Sequence, residues 1–200
     1  MGPWGVDPWP TYVMQYMEKT YPNVEFYWEN KSVSGRQTSW GGVEKIEERL
    51  LNDGYSDLVF IALGTNDRHE IEGNVVNGEQ SKQNYISMIE KVCAKNPDAE
   101  IVFVIVARNF EIRGMEGFAD GDVSDFIKAM LQVSDEYGIP VIDTGSGLYD
   151  ACVEYAGKED AMTVGWEKYV TDEVHVNEEG QKLYGDIVWS QLQMALDSEK

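Results

Sequence analysis

The sequence predicts an α/β protein with three layers, helices covering both faces of a parallel sheet. Two observations carry this. Helix-like and strand-like segments alternate along the chain, and the strand-like runs Leu58–Leu63 and Ile101–Ala107 are apolar throughout. A continuous apolar run of that length suits a strand buried on both faces, which is the situation in a parallel sheet wrapped by helices.

Each element has its own local reason. Trp9-Pro10 opens a helical stretch from Thr11 to about Thr20, with Tyr12, Val13, Tyr16 and Met17 on one face. Val24–Trp28 alternates and is rich in β-formers, so it reads as a strand. Ser32-Val33-Ser34-Gly35-Arg36 reads as a loop. Val43–Leu51 has apolar residues at Val43, Ile46 and Leu50 with Glu and Lys between them, as on a half-buried helix. Leu58–Leu63 is a strand that stops at Gly64. Ser81–Lys95 is a helix with Tyr85, Met88, Ile89 and Val92 inward, and Ile101–Ala107 is the next strand. Val123–Tyr137 is helical, and Gly138-Ile139-Pro140 leads into the short strand Val141-Ile142. Glu178–Leu196 closes the chain as an amphipathic helix. The whole of residues 1–200 reads as one domain.

Composition removes several function classes. Hydrophobic residues are 42% and aromatics 12%, which is enough for a packed core. No apolar run reaches the roughly 18 residues of a membrane span. The 36 acidic residues outnumber the 16 basic ones, giving a net charge of −20. Such a surface repels nucleic acid and anionic lipid, so neither is an expected partner. Cys93 and Cys152 form no C-x-x-C pair and read as two buried thiols. Only His69 and His175 are present, in no metal-ligand spacing, so no metal is expected. Neither G-x-G-x-x-G nor G-x-x-x-x-G-K-[ST] follows a strand, so no nucleotide cofactor is expected either. Met1-Gly2-Pro3-Trp4 opens without the apolar stretch of a signal peptide, and the compartment stays open.

Parallel sheets take their ligands beyond the carboxyl ends of the strands. The loops after Trp28, Leu63, Ala107 and Ile142 are therefore where chemistry belongs. Asp172 precedes His175 by three residues, close enough for a carboxylate to hold Nδ1–H and direct base chemistry to Nε2. Taken alone, the pair reads equally as an exposed contact at a helix start. Gly64-Thr65-Asn66-Asp67 ends a buried strand, where Asn66 could aim an amide at a developing oxyanion or serve a plain turn. Gly35 could present its N–H, or mark a loop. His69, between Arg68 and Glu70, reads as a surface histidine.

Together these elements resemble the SGNH hydrolases, the GDSL esterase/lipase family. The family's second block is similar to Asn30-Lys31-Ser32-Val33-Ser34-Gly35, its third to Gly64-Thr65-Asn66-Asp67, and its last to Asp172-Glu173-Val174-His175. Val176-Asn177-Glu178-Glu179-Gly180 resembles the usual continuation. The resemblance covers nearly the whole chain and implies a flavodoxin-like sheet, with His175 as base, Asp172 orienting it, and Gly35 and Asn66 as oxyanion donors. It implies acyl transfer from small esters to water.

One block is missing. The family's first strand, ending in Gly-Asp-Ser with the nucleophile, should precede Trp9-Pro10, yet Gly2–Asp7 contains no serine. The chain is therefore expected to be N-terminally truncated. The alternatives are another nucleophile near the second block, where Ser32, Ser34 and Ser39 lie and Ser34 and Ser32 are the candidates, or a non-catalytic binding or scaffold domain. A homo-oligomer completing the sheet is a further expectation. Trp4, Trp9, Trp40 and Trp166 lie near the loops in question, and Trp40 and Trp166 are candidates for stacking on sugar rings, or ordinary core and rim residues. A carbohydrate ester, such as an acetylated sugar, is the substrate this suggests. A flavin-binding domain would need a phosphate-cradling loop that the sequence does not contain.

Overall fold

The computed structural model describes residues 6–41, 45–46, 48, 56–67, 69–106, 124–172 and 175–198. Two compact units divide the chain. One comprises Lys31–Ala107 and Glu111–Asp143, and the other Met1–Asn30, Arg108–Phe110 and Thr144–Lys200.

The first unit holds the sheet. Strands β1 (Leu58–Ile61), β2 (Glu100–Ile105) and β3 (Val141–Asp143) run parallel in the order β1-β2-β3, with Val59 opposite Ile101 and Val104 opposite Ile142. Five of the six β2 residues are buried, as its continuous apolar run requires. Helix α2 (Gly78–Lys95) starts at a capping box, in which Gln80 N–H donates to Asn77 Oδ1 (2.9 Å) and Asn77 N–H to Gln80 Oε1 (3.0 Å). Two of the orphan donors at the helix start are thereby satisfied. Helix α3 (Asp125–Tyr137) ends at Gly138. The core lies among α2, α3 and the sheet. Tyr85, Met88, Phe103, Met130 and Val133 are fully enclosed there, and the Tyr85 and Phe103 rings meet edge to face at 5.3 Å.

The second unit is helical in its described part. It contains α1 (Trp9–Thr20), α4 (Thr144–Ala156), a wide turn at Ala161–Gly165, α5 (Trp166–Tyr169) and α6 (Glu178–Ser198). Trp9 N–H donates to Gln181 Oε1 (2.9 Å), and the Tyr16 hydroxyl bonds Asp186, so α1 is tied to α6 at its first residue and two turns further on.

Among the described residues, the α/β class and the parallel sheet are as the sequence predicts, and two elements differ. Val24–Trp28 forms no strand: Val24 closes a turn by donating its N–H to Tyr21 O (3.0 Å), residues 25–28 are irregular, and Val24 and Tyr27 are 52% and 86% exposed. Alternation specifies which side chains share a face, but only a neighbouring ladder makes a strand. Thr144–Ala156 is a helix with no counterpart among the predicted elements. Its opening Thr-Gly-Ser-Gly has low helix propensity, and the segment is held by burying Leu148 and Cys152. Most of the expected helix Val43–Leu51 lies outside the described residues, as do Ala107 and Val123. At its described positions the chain is helical and Ile46 is buried.

Candidate functional site

In the sheet unit, the loop after β1 is set by Gly64. Its φ is +124°, and a Cβ there would lie 2.3 Å from the Tyr85 hydroxyl and 2.6 Å from the Phe126 ring. Tyr85 uses that hydroxyl to donate to Leu63 O (2.7 Å), and Asp67 N–H donates to Gly64 O (2.8 Å). The chain therefore turns sharply between the end of the strand and Asn66. Asn66 Nδ2 donates to Arg36 O at 3.2 Å. That bond brings Asn66 to the residue after Gly35, which sits in a turn at φ +74°.

Asp67 fixes this corner. Its side chain accepts from Thr38 N–H (2.8 Å), the Thr38 hydroxyl (2.7 Å) and the Ser81 hydroxyl (2.5 Å). Asn84 Nδ2 in turn donates to Thr38 Oγ1 (2.9 Å). Asp67 is 1% exposed. Burial pushes its carboxyl above the ordinary carboxylate range, against the opposing pull of the Ser81 and Thr38 bonds. One carboxylate thus ties the loop after Gly35, the turn bearing Asn66 and helix α2 together.

In the helical unit, Asp172 and His175 lie in the loop leading into α6. Val170 pairs with Val176, Thr171 N–H donates to His175 O (2.8 Å), and Asn177 N–H donates to Tyr169 O (2.8 Å). Asn177 also caps α6 by accepting from Gly180 N–H (3.0 Å), and its Nδ2 donates to Lys168 O (3.0 Å). Gly180 must be glycine here, since a Cβ would stand 2.3 Å from Tyr169 O. Within this closed loop Asp172 grips His175 twice. Oδ1 accepts from the backbone N–H (2.6 Å), and Oδ2 lies 2.9 Å from Nδ1. Both side chains are half exposed. With Nδ1 engaged by a carboxylate, proton transfer belongs at Nε2.

The other candidates fall as follows. Ser32 and Ser34 are exposed, just ahead of Gly35. Trp40 is partly buried, with the Arg36 guanidinium 5.7 Å over its ring and Arg36 paired to Glu72 at 3.2 Å. Trp166 is partly buried and opens α5 in the helical unit. His69 is exposed, and its carbonyl accepts from Gln37. Among the described residues no cluster of three His, Cys, Asp or Glu could hold a metal. Sequence reasoning missed Thr38, Ser81 and Asn84 around Asp67. A signal was present. Ser81 and Asn84 share the buried helical face of Tyr85 and Met88, and polar side chains on such a face require a partner.

A sequence profile of the GDSL-like Lipase/Acylhydrolase family matches residues 1–183. The chain belongs to this family. Among solved structures, a GDSL-like lipase from Parabacteroides merdae superposes with a TM-score of 0.69 at 19% identity, covering 92% of this chain and 80% of its own. An acetyl xylan esterase from Geobacillus stearothermophilus gives 0.68 at 17%, covering 92% and 81%. A two-domain esterase active on acetylated mannans gives 0.69 at 19%, covering 93% of this chain, which spans only 43% of that protein. At these identities the likeness establishes a shared fold. Comparison with curated protein sequences gave no match. Among the described residues of this GDSL-like chain, no helix is long and apolar enough to cross a membrane.

Proposed function

We propose that residues 1–200 form one SGNH-hydrolase domain of a serine carboxyl-ester hydrolase. Its substrates are small acyl esters, in particular acetyl groups on carbohydrate. The double grip of Asp172 on His175 carries this reading. A carboxylate that fixes both the ring and its backbone holds the imidazole in one tautomer, with Nε2 as base.

In the reaction, His175 takes the proton from a serine hydroxyl as its oxygen bonds to the ester carbonyl carbon. The carbonyl electron pair moves to oxygen, and that oxyanion is held by Gly35 N–H and the Asn66 amide. Collapse expels the alcohol, which receives the proton from His175. Water then repeats the two steps and releases the acid. Trp40 and Trp166 supply aromatic faces for a sugar alcohol.

The nucleophile is the member to be found. Met1–Pro8 contains no serine, and Ser34 and Ser32 are the candidates next to Gly35. The second reading is a GDSL-fold binding or scaffold domain without turnover, working as a homo-oligomer. Fluorophosphonate labelling with peptide mapping tests both. A labelled serine whose modification requires His175 supports the hydrolase. A folded, unlabelled protein supports either a nucleophile outside residues 1–200 or the binding domain. For the substrate, deacetylation of acetylated xylo-oligosaccharide should exceed hydrolysis of p-nitrophenyl butyrate, and the reverse order removes the carbohydrate assignment.

A further inference from the structure

Beside the Asp67 network lies an open cleft of about 180 Å³, lined by Ser39, Asn74, Glu79, Gln80, Gln83 and Asn84. Val76 also lines it and adds apolar surface; four of the seven lining residues are amides, and internal bonds orient them. The orientation begins at Asp67. The Thr38 hydroxyl gives its hydrogen to Asp67 Oδ2, so it can only accept from Asn84. Asn84 must therefore present its NH₂ to Thr38, which leaves Oδ1 as an acceptor with no partner among the described residues. Asn84 is 7% exposed, and its Oδ1 is open to solvent rather than sealed, so it can accept from a ligand in the cleft.

The other amides follow the same logic. Asn74 spends its NH₂ on Gln37 Oε1 (3.0 Å) and Ser39 Oγ (3.1 Å), leaving Oδ1. Gln83 Nε2 donates to Glu79 (3.1 Å), leaving Oε1. Gln80 accepts at Oε1 from the α2 cap, leaving Nε2 as a donor. The wall thus offers acceptors at Asn74, Gln83 and Asn84 and a donor at Gln80, all on side chains already held in place. Glu79 is the one charge in it, and no cation lines it.

We infer that this cleft is a binding site for a neutral polyhydroxyl ligand, a saccharide unit. A hydroxyl both donates and accepts, matching a wall that offers both functions in fixed places. An anion would face Glu79 with no cation to offset it. Binding there needs no nucleophile. It shares with the proposed function only the choice of carbohydrate.

The test is binding of xylotriose and mannotriose to the 200-residue chain, followed by ¹⁵N NMR of the side-chain amides. The expected result is saturable shifts at Asn84, Gln80 and Gln83. Gln83→Ala, an exposed position whose loss should leave folding intact, should weaken binding about fivefold, the effect of one hydrogen bond. Phosphate should leave the amides unmoved. Unmoved amides with both sugars, equal affinity in Gln83→Ala, or displacement of the sugar by calcium ions would each overturn the inference. Fluorophosphonate labelling of the same sample reports separately on the hydrolase reading, so a cleft that fails and a nucleophile that fails are told apart.

Discussion

Replacing Asp67 by alanine should unfold more of the candidate site than replacing any residue of the His175 loop. The carboxylate is the shared acceptor for Thr38 N–H, the Thr38 hydroxyl and the Ser81 hydroxyl, and Thr38 and Ser81 are fully buried. Asp67→Ala leaves three buried donors without their acceptor. At about 1 kcal/mol each, the loss is about 3 kcal/mol before any cavity is counted. Against the 5–15 kcal/mol typical of a domain, that is a large fraction. With a urea slope of about 2 kcal/mol/M, the midpoint should fall by about 1.5 M. Asp67→Asn keeps the shape and one carbonyl oxygen, but turns Oδ2 into a donor facing two hydroxyls. Ser81 can rotate to accept, whereas Thr38 Oγ1 already accepts from Asn84. The expected loss for Asn is therefore smaller, about 1–2 kcal/mol.

The pH dependence has a definite sign. Burial raises the folded Asp67 carboxyl above its ordinary value of 3.8. The folded state then binds the proton more tightly than the unfolded chain. This contribution to stability is fully present below 3.8 and is lost as the pH rises from there through the folded value. Asp67→Asn removes that decline, so the difference in stability between wild type and Asp67→Asn should shrink as the pH rises through this window. Urea unfolding followed by circular dichroism at pH 4 to 7 measures both effects. A midpoint shift under about 0.5 M for Asp67→Ala, or parallel pH profiles for wild type and Asp67→Asn, would refute the reasoning.

Three other outcomes are expected. In a preparation that hydrolyses p-nitrophenyl acetate, His175→Ala should lower kcat by several orders of magnitude, and a loss under about tenfold removes His175 as the base. Gly180→Ala places a methyl group on Tyr169 O and Val176, so thermal unfolding should show about 1–3 kcal/mol of destabilisation, and an unchanged Tm would mean the loop is not held as described. Burial pushes the Cys152 thiol up to about 11, so at pH 8 about one molecule in a thousand carries the thiolate. Cys152 should then resist a disulfide reagent until the protein is unfolded in urea, whereas rapid modification of native Cys152 would contradict its burial.

What the sequence revealed followed from patterns that are local. Tyr85, Met88, Ile89 and Val92 repeat at helical spacing, and a strand such as Ile101–Ile105 has no polar residue to misplace, so α2 and β2 were legible. The spacing of three put Asp172 within reach of His175, but the pair's role was legible only through the resemblance of Asp172-Glu173-Val174-His175 to the family's last block. Val24–Trp28 was misread because its alternation is local while strand pairing is not. Helix α4 was missed because its support comes from burial of Leu148 and Cys152 rather than from the propensity of Thr-Gly-Ser-Gly. The Asp67 network joins positions from Thr38 to Asn84: Ser81 and Asn84 on the buried face of α2 announce that a partner is needed, but no local pattern says which residue it is.

The loop bearing Asp172 and His175 is cross-linked at its base by the Val170–Val176 pair and by the two bonds from Asn177 to Tyr169 and Lys168. Its two ends therefore stand side by side, and the acid–imidazole contact forms inside a ring that is already closed. A ring closed at its base is a transferable part. A synthetic macrocycle of residues 169–177, joined head to tail, has the covalent bond that these hydrogen bonds imitate. It should keep the carboxylate on the imidazole with no protein around it.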